Sequence, residues 1–312
     1  MGIIRKDYVL DRWVYYATGR KKRPQEFKKE PPKTSVKTCV FCPKNENLTP
    51  VEIGRIEYKN SWKMRWFLNK FAAVEKKGNP NFKSKGLLKE SNAYGIHEIV
   101  VETQQHKTEL SQLPVDNIED LFEVFKVRIK DLSKLKGIRY VDVFKNSGKD
   151  AGTSLVHSHS QIVALNNVPS LVMQECKASV KSKKCLYCSI IKKEAKSKRK
   201  IFETKNVVAF APFASRFNFE AWIFPKSHKR NLEEMEEYEI RDMAIAMKKI
   251  LSKLKSINSS YNFFLHYSPE KENLHFHIEI TPRMANWGGF EISTDAIINS
   301  VLPEDAAKFY RS

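Results

Sequence analysis

The sequence predicts an α+β protein made of two related halves, residues 1–165 and 166–312, and two observations carry that reading. The order CxxC, single His, HxH occurs twice, first as Cys39, Cys42, His106, His157 and His159, then as Cys185, Cys188, His228, His275 and His277. This is an internal repeat of chemistry-bearing residues rather than of plain sequence. In each half, moreover, a long segment of helical apolar spacing precedes the strand-like segment that carries the HxH pair.

In chain order, GIHEIVVET reads as a strand rich in β-branched residues, and VDNIEDLFEVFKVRIKDLSKL reads as a helix opening after Pro114. IRYVDVFKN and SQIVAL follow as strands, and Asn166, Asn167 and Pro169 break the chain at the boundary between the halves. The second half offers VVAFAPF and EAWIFP as strands, LEEMEEYEIRDMAIAMKKILSKLKSI as a helix, and YNFFLHY and HFHIEITP as strands. PEDAAKFYR closes as a short helix, with Pro303 at its start and acids in its first turn.

A chain of 312 residues with 41% apolar residues and few Gly or Pro has enough material for a real core, which excludes small disulfide scaffolds and disordered or fibrous classes. No run of 18 apolar residues occurs, and MGIIRKDYVLDRWVYYATGRKKRP lacks the apolar stretch of a signal peptide, so a cytoplasmic protein without a membrane span is expected. Lys6 stands where a myristoylation pattern wants Ser or Thr. The formal charge of +19 would suit an anionic partner such as nucleic acid, but the excess is mostly Lys scattered through loop-like segments. A zinc-ribbon nucleic-acid-binding protein would use the charge and the CxxC pairs, yet it leaves HSHSQ and HFHIEITPR without a purpose.

Five cysteines, an odd number in a chain without an export signal, argue against a disulfide framework. Each CxxC can present two thiolates to a tetrahedral metal site completed from elsewhere. A thioredoxin-like redox pair is the alternative, and Pro43 directly after Cys42 suits a metal knuckle better. Alternation along a strand puts residues i and i+2 on one face, so each HxH sets two imidazoles side by side, as metal and catalytic sites do and cores seldom do.

Taken together, RKDYVLDRWVYYATGRKKRP, CVFCPKNENLTP, WFLNKFAAV, GIHEIVVET, FKNSGKDAGTSLVHSHSQIVAL, LHFHIEITPR and GGFEI resemble, in that order, the galactose-1-phosphate uridylyltransferase branch of the histidine triad superfamily. The resemblance implies two fused histidine-triad-like halves, each an antiparallel sheet with packed helices, and a nucleophile at His159 in the first half. It implies a hexose-1-phosphate uridylyltransferase that carries a uridylyl group on that histidine, taking a nucleotide sugar and a hexose 1-phosphate. ADP-glucose phosphorylase and diadenosine tetraphosphate phosphorylase, which use the same nucleophile, are its rivals. Donors to the phosphoryl oxygens are then Gln161, Ser154 and the turn at Gly152, with Asn146 nearby and Arg20 and Arg23 reaching phosphates. Asn69 matches a position near the nucleoside, although Lys70 replaces a typical Asp, and Glu291 matches a glutamate that contacts sugar hydroxyls.

Similar proteins use the first His of the motif as the fourth ligand of a structural zinc, which implies Cys39, Cys42, His106 and His157 as one set, and Cys185, Cys188, His228 and His275 recur in the same order, so a second structural zinc is expected there. Some relatives instead use a Glu and three His in the second half, and Glu175 stands where that Glu would be. A homodimer is expected from the resemblance alone. The pattern departs from the family at Ser158, where a Pro is usual. Ser leaves φ free and restores an N–H, which loosens the spacer between the two imidazoles.

Overall fold

The computed structural model describes residues 3–16, 38–180, 185–270 and 272–312. Arg20 and Arg23 lie outside the described residues. In the first half the strands are β1 (Ile3–Lys6), β2 (Trp13–Tyr16), β3 (Glu52–Tyr58), β4 (Ser61–Leu68), β5 (Lys83–Lys85), β6 (Leu88–Glu90), β7 (Gly95–Val101), β8 (Tyr140–Ser147) and β9 (His159–Leu165). Helix α1 (Val115–Ser133) precedes β8. The second half holds α2 (Ser170–Ser179), α3 (Leu186–Glu194), β10 (Lys200–Glu203), β11 (Val207–Phe210), β12 (Ala221–Pro225), α4 (Glu237–Ser256), β13 (Tyr261–His266), β14 (His277–Pro282), α5 (Gly289–Thr294), β15 (Ile297–Asn299) and α6 (Pro303–Arg311).

Ten strands form one antiparallel sheet in the order β10-β11-β12-β14-β13-β8-β9-β7-β4-β3. Read outward from the β13–β8 seam, each side gives the same succession: a strand after the long helix, the HxH strand, then three more. The seam pairs Asn262 with Asn146 and Phe264 with Phe144, so the two halves share backbone hydrogen bonds.

Period-two alternation sorts the sheet into two faces. Ile162 and Ala164 of β9, Val143 of β8, Phe263 and Leu265 of β13 and Ile278 and Ile280 of β14 are buried in the main core, under α1 and α4. Helix α1 forms as its spacing predicts, with Ile118, Leu121, Phe122, Phe125, Ile129 and Leu132 on its buried face and Asp116 in its first turn. In α4 the apolar stripe runs from Ile240 to Leu254, and the N-terminus is closed by Glu239 accepting from the Glu236 N–H at 3.0 Å. This helix starts at Glu237, later than the predicted segment, because residues 232–234 form a separate 3-10 turn capped by Asn231. An ion pair ties α1 to the sheet: Arg128 donates to both carboxylate oxygens of buried Glu98, at 2.9 and 2.8 Å.

A small second layer joins the chain's two ends. The β1–β2 hairpin pairs in parallel with β15 and buries Val14 and Tyr16 against Ala214 and Ile297. Arg5 reaches Glu304 at the start of α6 at 3.1 Å, and Tyr8 packs edge-on against Trp222, so residues of the first half rest on the second.

Candidate active site and metal-ligand clusters

The face opposite α1 and α4 is polar along the middle of the sheet. Register places His159 and Gln161 of β9 on it, with His97 of β7, Asn146 of β8, Asn262 and His266 of β13, and His277 and Glu279 of β14. Each HxH pair is held alike. His159 Nδ1 lies 2.8 Å from the His157 carbonyl, and His277 Nδ1 lies 2.9 Å from the His275 carbonyl. Each contact makes Nδ1 the protonated nitrogen and leaves Nε2 with the lone pair.

The surroundings of the two rings differ. Around His159, burial and then the Lys145 ammonium hold the imidazole down to about 4, so it is neutral near pH 7. Phe41, from the first CxxC turn, packs on it at 5.2 Å. His277 is wholly buried, stacked on Phe224 at 4.7 Å, with Tyr187 and Trp222 also against it. Its Nε2 faces Glu279 at 3.6 Å. Both rings are buried, but His277 is packed among three aromatic rings and faces a carboxylate, whereas His159 meets one phenylalanine ring at the start of β9.

Ser158 projects to the other face. There its hydroxyl donates to Glu102 at 2.5 Å and accepts from Lys145 at 3.0 Å, while Ser160 donates to the second Glu102 oxygen at 2.5 Å. Lys145 also bonds Glu102 at 2.8 Å and donates to the His159 carbonyl at 3.0 Å. Burial would raise the Glu102 carboxyl, but Lys145 and the two hydroxyls outweigh it and keep it below its usual range. The position that departs from the family's Pro is thus part of a buried ion network gripping the backbone of His159.

The four side chains Cys39, Cys42, His106 and His157 bring one ligand atom each to within 4.8 Å of one another, as do Cys185, Cys188, His228 and His275. In the first set Cys42 Sγ lies 3.2 Å from His106 Nδ1 and 3.5 Å from His157 Nδ1, and Cys39 Sγ lies 3.6 Å from His157 Nδ1. His157 Nε2 faces the Thr103 carbonyl at 2.7 Å, and His275 Nε2 faces the Pro225 carbonyl at 2.9 Å. His228 Nε2 likewise meets Asn273 Oδ1 at 2.9 Å. Each outer hydrogen bond turns an Nδ1 lone pair toward the thiols, the arrangement of a metal-ligating histidine. Burial and the neighbouring sulfur push Cys42 and Cys188 up to about 11, a cost that a bound cation reverses by favouring thiolate. The donor sets therefore fit a metal ion. The second CxxC is a helical turn rather than a knuckle, with Cys185 at the N-cap of α3 and Cys188 in its first turn.

A third buried group, Glu175, His266, His277 and Glu279, also has the donors for a cation. Of these, sequence reasoning singled out Glu175 and, in the second HxH pair, His277, but not His266 or Glu279. Burial alone would lower His266, but Glu175 and Glu279 overcome it and raise the ring to about 9, while Arg216 at 2.5 Å keeps Glu279 low.

The other predicted site residues fall as follows. Asn146 accepts from Asn262 at 2.8 Å, and Gly152, left-handed at φ 82°, ends the short turn beside it. Ser154 is exposed on the following loop, and no hydrogen bond among the described residues joins it to His159 or Gln161. Asn69 directly follows β4, and Glu291 accepts from the N–H of Gly288, the residue that caps α5, at 2.8 Å. His97, Lys145 and Glu102 were missed. The signal for His97 was the alternation His97, Ile99, Val101 in a strand that pairs with β9.

Comparison with known proteins agrees with this arrangement. The family model for the N-terminal domain of galactose-1-phosphate uridyl transferase matches residues 4–169, and a model described as a domain of unknown function matches residues 99–309. ADP-glucose phosphorylase of Arabidopsis thaliana is 33% identical over 99% of this chain and 92% of its own. The galactose-1-phosphate uridylyltransferase of Thermotoga maritima is 30% identical over 99% of this chain and 97% of its own. A crystal structure of an Arabidopsis thaliana ADP-glucose phosphorylase with bound ADP-glucose superposes with a TM-score of 0.86 at 31% identity, covering 100% of this chain and 99% of that one. With its paired HxH strands, its two cysteine–histidine clusters and likeness along its whole length, the chain belongs to the galactose-1-phosphate uridylyltransferase family.

Proposed function

We propose that the protein moves a nucleotidyl group from a nucleotide sugar to a second phosphate through a covalent intermediate on His159. The first reading is UDP-glucose as donor and a hexose 1-phosphate as acceptor. The observation that supports it best is the asymmetry between two similarly held imidazoles: His159 is neutral and lies against one phenylalanine ring, whereas His277 is enclosed by aromatic rings and carboxylates.

In the first step His159 Nε2 attacks the α-phosphorus, an N–P bond forms, and the bond from that phosphorus to the bridging oxygen breaks. Hexose 1-phosphate leaves with the electron pair. The ring becomes a nucleotidyl-imidazolium and keeps its Nδ1 proton on the His157 carbonyl. In the second step an acceptor phosphate oxygen attacks the same phosphorus and returns neutral His159. Gln161, on the same face of β9, is the donor to the developing charge, and the Gly152–Ser154 turn and Asn146 line the same end of the sheet. Arg20, Arg23, Asn69 and Glu291 are the remaining substrate contacts in this reading.

Zinc is the metal we assign to each Cys2His2 set. A tetrahedron with Zn–S of ~2.3 Å and Zn–N of ~2.0–2.1 Å has an S···N edge of about 3.6 Å, against 3.2–3.6 Å here. Four protein ligands leave no open position, so the ion would hold structure and steady Phe41 against His159.

A second reading, an ADP-glucose phosphorylase with inorganic phosphate as acceptor, is favoured by the 33% identity to that enzyme and by Lys70 in place of the usual Asp. Incubation with labelled UDP-glucose or ADP-glucose alone tests both. Hexose 1-phosphate should appear in a burst, with an acid-labile nucleotidyl group on His159 that His159→Gly abolishes. Discharge by galactose 1-phosphate supports the first reading and discharge of an adenylyl group by phosphate the second. Label on His277 would overturn the assignment of the nucleophile.

A further inference from the structure

His97 is buried on β7, one position diagonal from Gln161 across the β7–β9 pair. Three contacts define its hydrogen-bonding state. The Ala73 backbone N–H donates to His97 Nδ1 at 3.2 Å, which makes Nδ1 the acceptor. Burial holds the ring below its usual range, so it carries a single proton, and that proton must be on Nε2. His97 Nε2 lies 2.9 Å from Gln161 Oε1 and donates to it. The Asn69 amide nitrogen lies 3.2 Å from the same Nε2 and is not its hydrogen-bond partner in this tautomer, and the Asn69 carbonyl accepts from the Phe71 N–H at 2.9 Å.

An unconstrained glutamine can present either end of its amide, and a carbonyl turned to a phosphoryl oxygen repels the charge that a donor should stabilise. From this geometry we infer that His97 is a positioning residue that fixes the amide of Gln161, carbonyl inward and NH2 outward, for the phosphoryl group bound at His159. The chain of polarity starts at a main-chain N–H, which has no alternative orientation, and passes through one tautomer to one amide rotamer. It also ties the Asn69–Ala73 loop to β7, the neighbour of β9, because the Asn69 N–H donates to the His97 carbonyl at 2.7 Å. The donor is thus set before substrate arrives, the condition under which such groups are most effective.

This inference rests on the nucleotidyl-histidine reading, and single-turnover labelling of His159 by a nucleotide sugar tests the two separately. An Asn side chain can still accept from the Ala73 N–H but cannot reach Gln161, whereas Gln can place a donor where Nε2 was. His97→Asn should slow labelling about 10- to 100-fold with less than about 3-fold change in the dissociation constant of the nucleotide sugar, and His97→Gln should recover most of the rate. In a Gln161→Met background His97→Asn should have little further effect. Absence of label on the unaltered protein would overturn the catalytic reading itself. Normal labelling that His97→Asn leaves as fast would overturn the positioning role alone, as would equal losses in His97→Asn and His97→Gln.

Discussion

Glu102 is the residue on which the spacer between the two imidazoles depends, since it collects Lys145, Ser158 and Ser160 beneath the strand that carries His159. A buried carboxylate with one cation is costly to strip of partners. Lys145→Met should lower stability by about 3–5 kcal/mol and Ser158→Ala by about 1–3 kcal/mol, read from urea unfolding. Because the Glu102 carboxyl is held below its unfolded value, its contribution is complete above that value and is lost as pH falls through the lower, folded one. The stability difference between the natural protein and Glu102→Gln should therefore shrink as unfolding is measured at successively lower pH below about 4. The motif residues themselves were legible in the sequence because CxxC and HxH are scarce combinations with few structural uses. Glu102, Lys145 and His97 were not, because they act through register: Lys145 reaches His159 only once β8 lies beside β9, and His97 reaches Gln161 only across β7.

Among the elements, α1 and α4 were readable from apolar spacing, and the central strands from alternation. Helix α3 was hidden inside a Lys-rich segment, although Tyr187, Ile190 and Ile191 give it a buried stripe once the sheet is present. Strands β1, β2 and β15 have 3 or 4 residues, too short for a period, and β2 and β15 pair across almost the whole length of the chain. The Glu98–Arg128 clamp between β7 and α1 makes a sharp test of how helix and sheet are joined. Arg128→Ala should cost about 3–5 kcal/mol, since it leaves Glu98 charged and buried, whereas Glu98→Leu with Arg128→Met should recover most of that loss. Denaturant unfolding of the two variants beside the natural protein measures the difference.

At the scale of the molecule, strand order is symmetric about the β13–β8 seam, and the two sides carry matching Cys2His2 sets. Metal analysis of protein made without tags should find about two equivalents per chain, and removal by a strong chelator should lower Tm by on the order of 10 °C. Cys39→Ser should reduce stability more than it slows labelling of His159. The repeat of CxxC, His and HxH made this symmetry visible in advance, but the continuous sheet across the halves was not, because no residue type marks a seam strand. The hairpin of β1 and β2 stands outside the symmetry, and its parallel partner β15 is separated from it by almost the whole chain. At a synthesis rate of about 5–20 residues per second, roughly 15–60 s pass between the making of Tyr16 and of Ile297. Through that interval the edge of β2 that β15 will cover stays open, so a short exposed strand edge has to be tolerated until nearly all of the large sheet has been made.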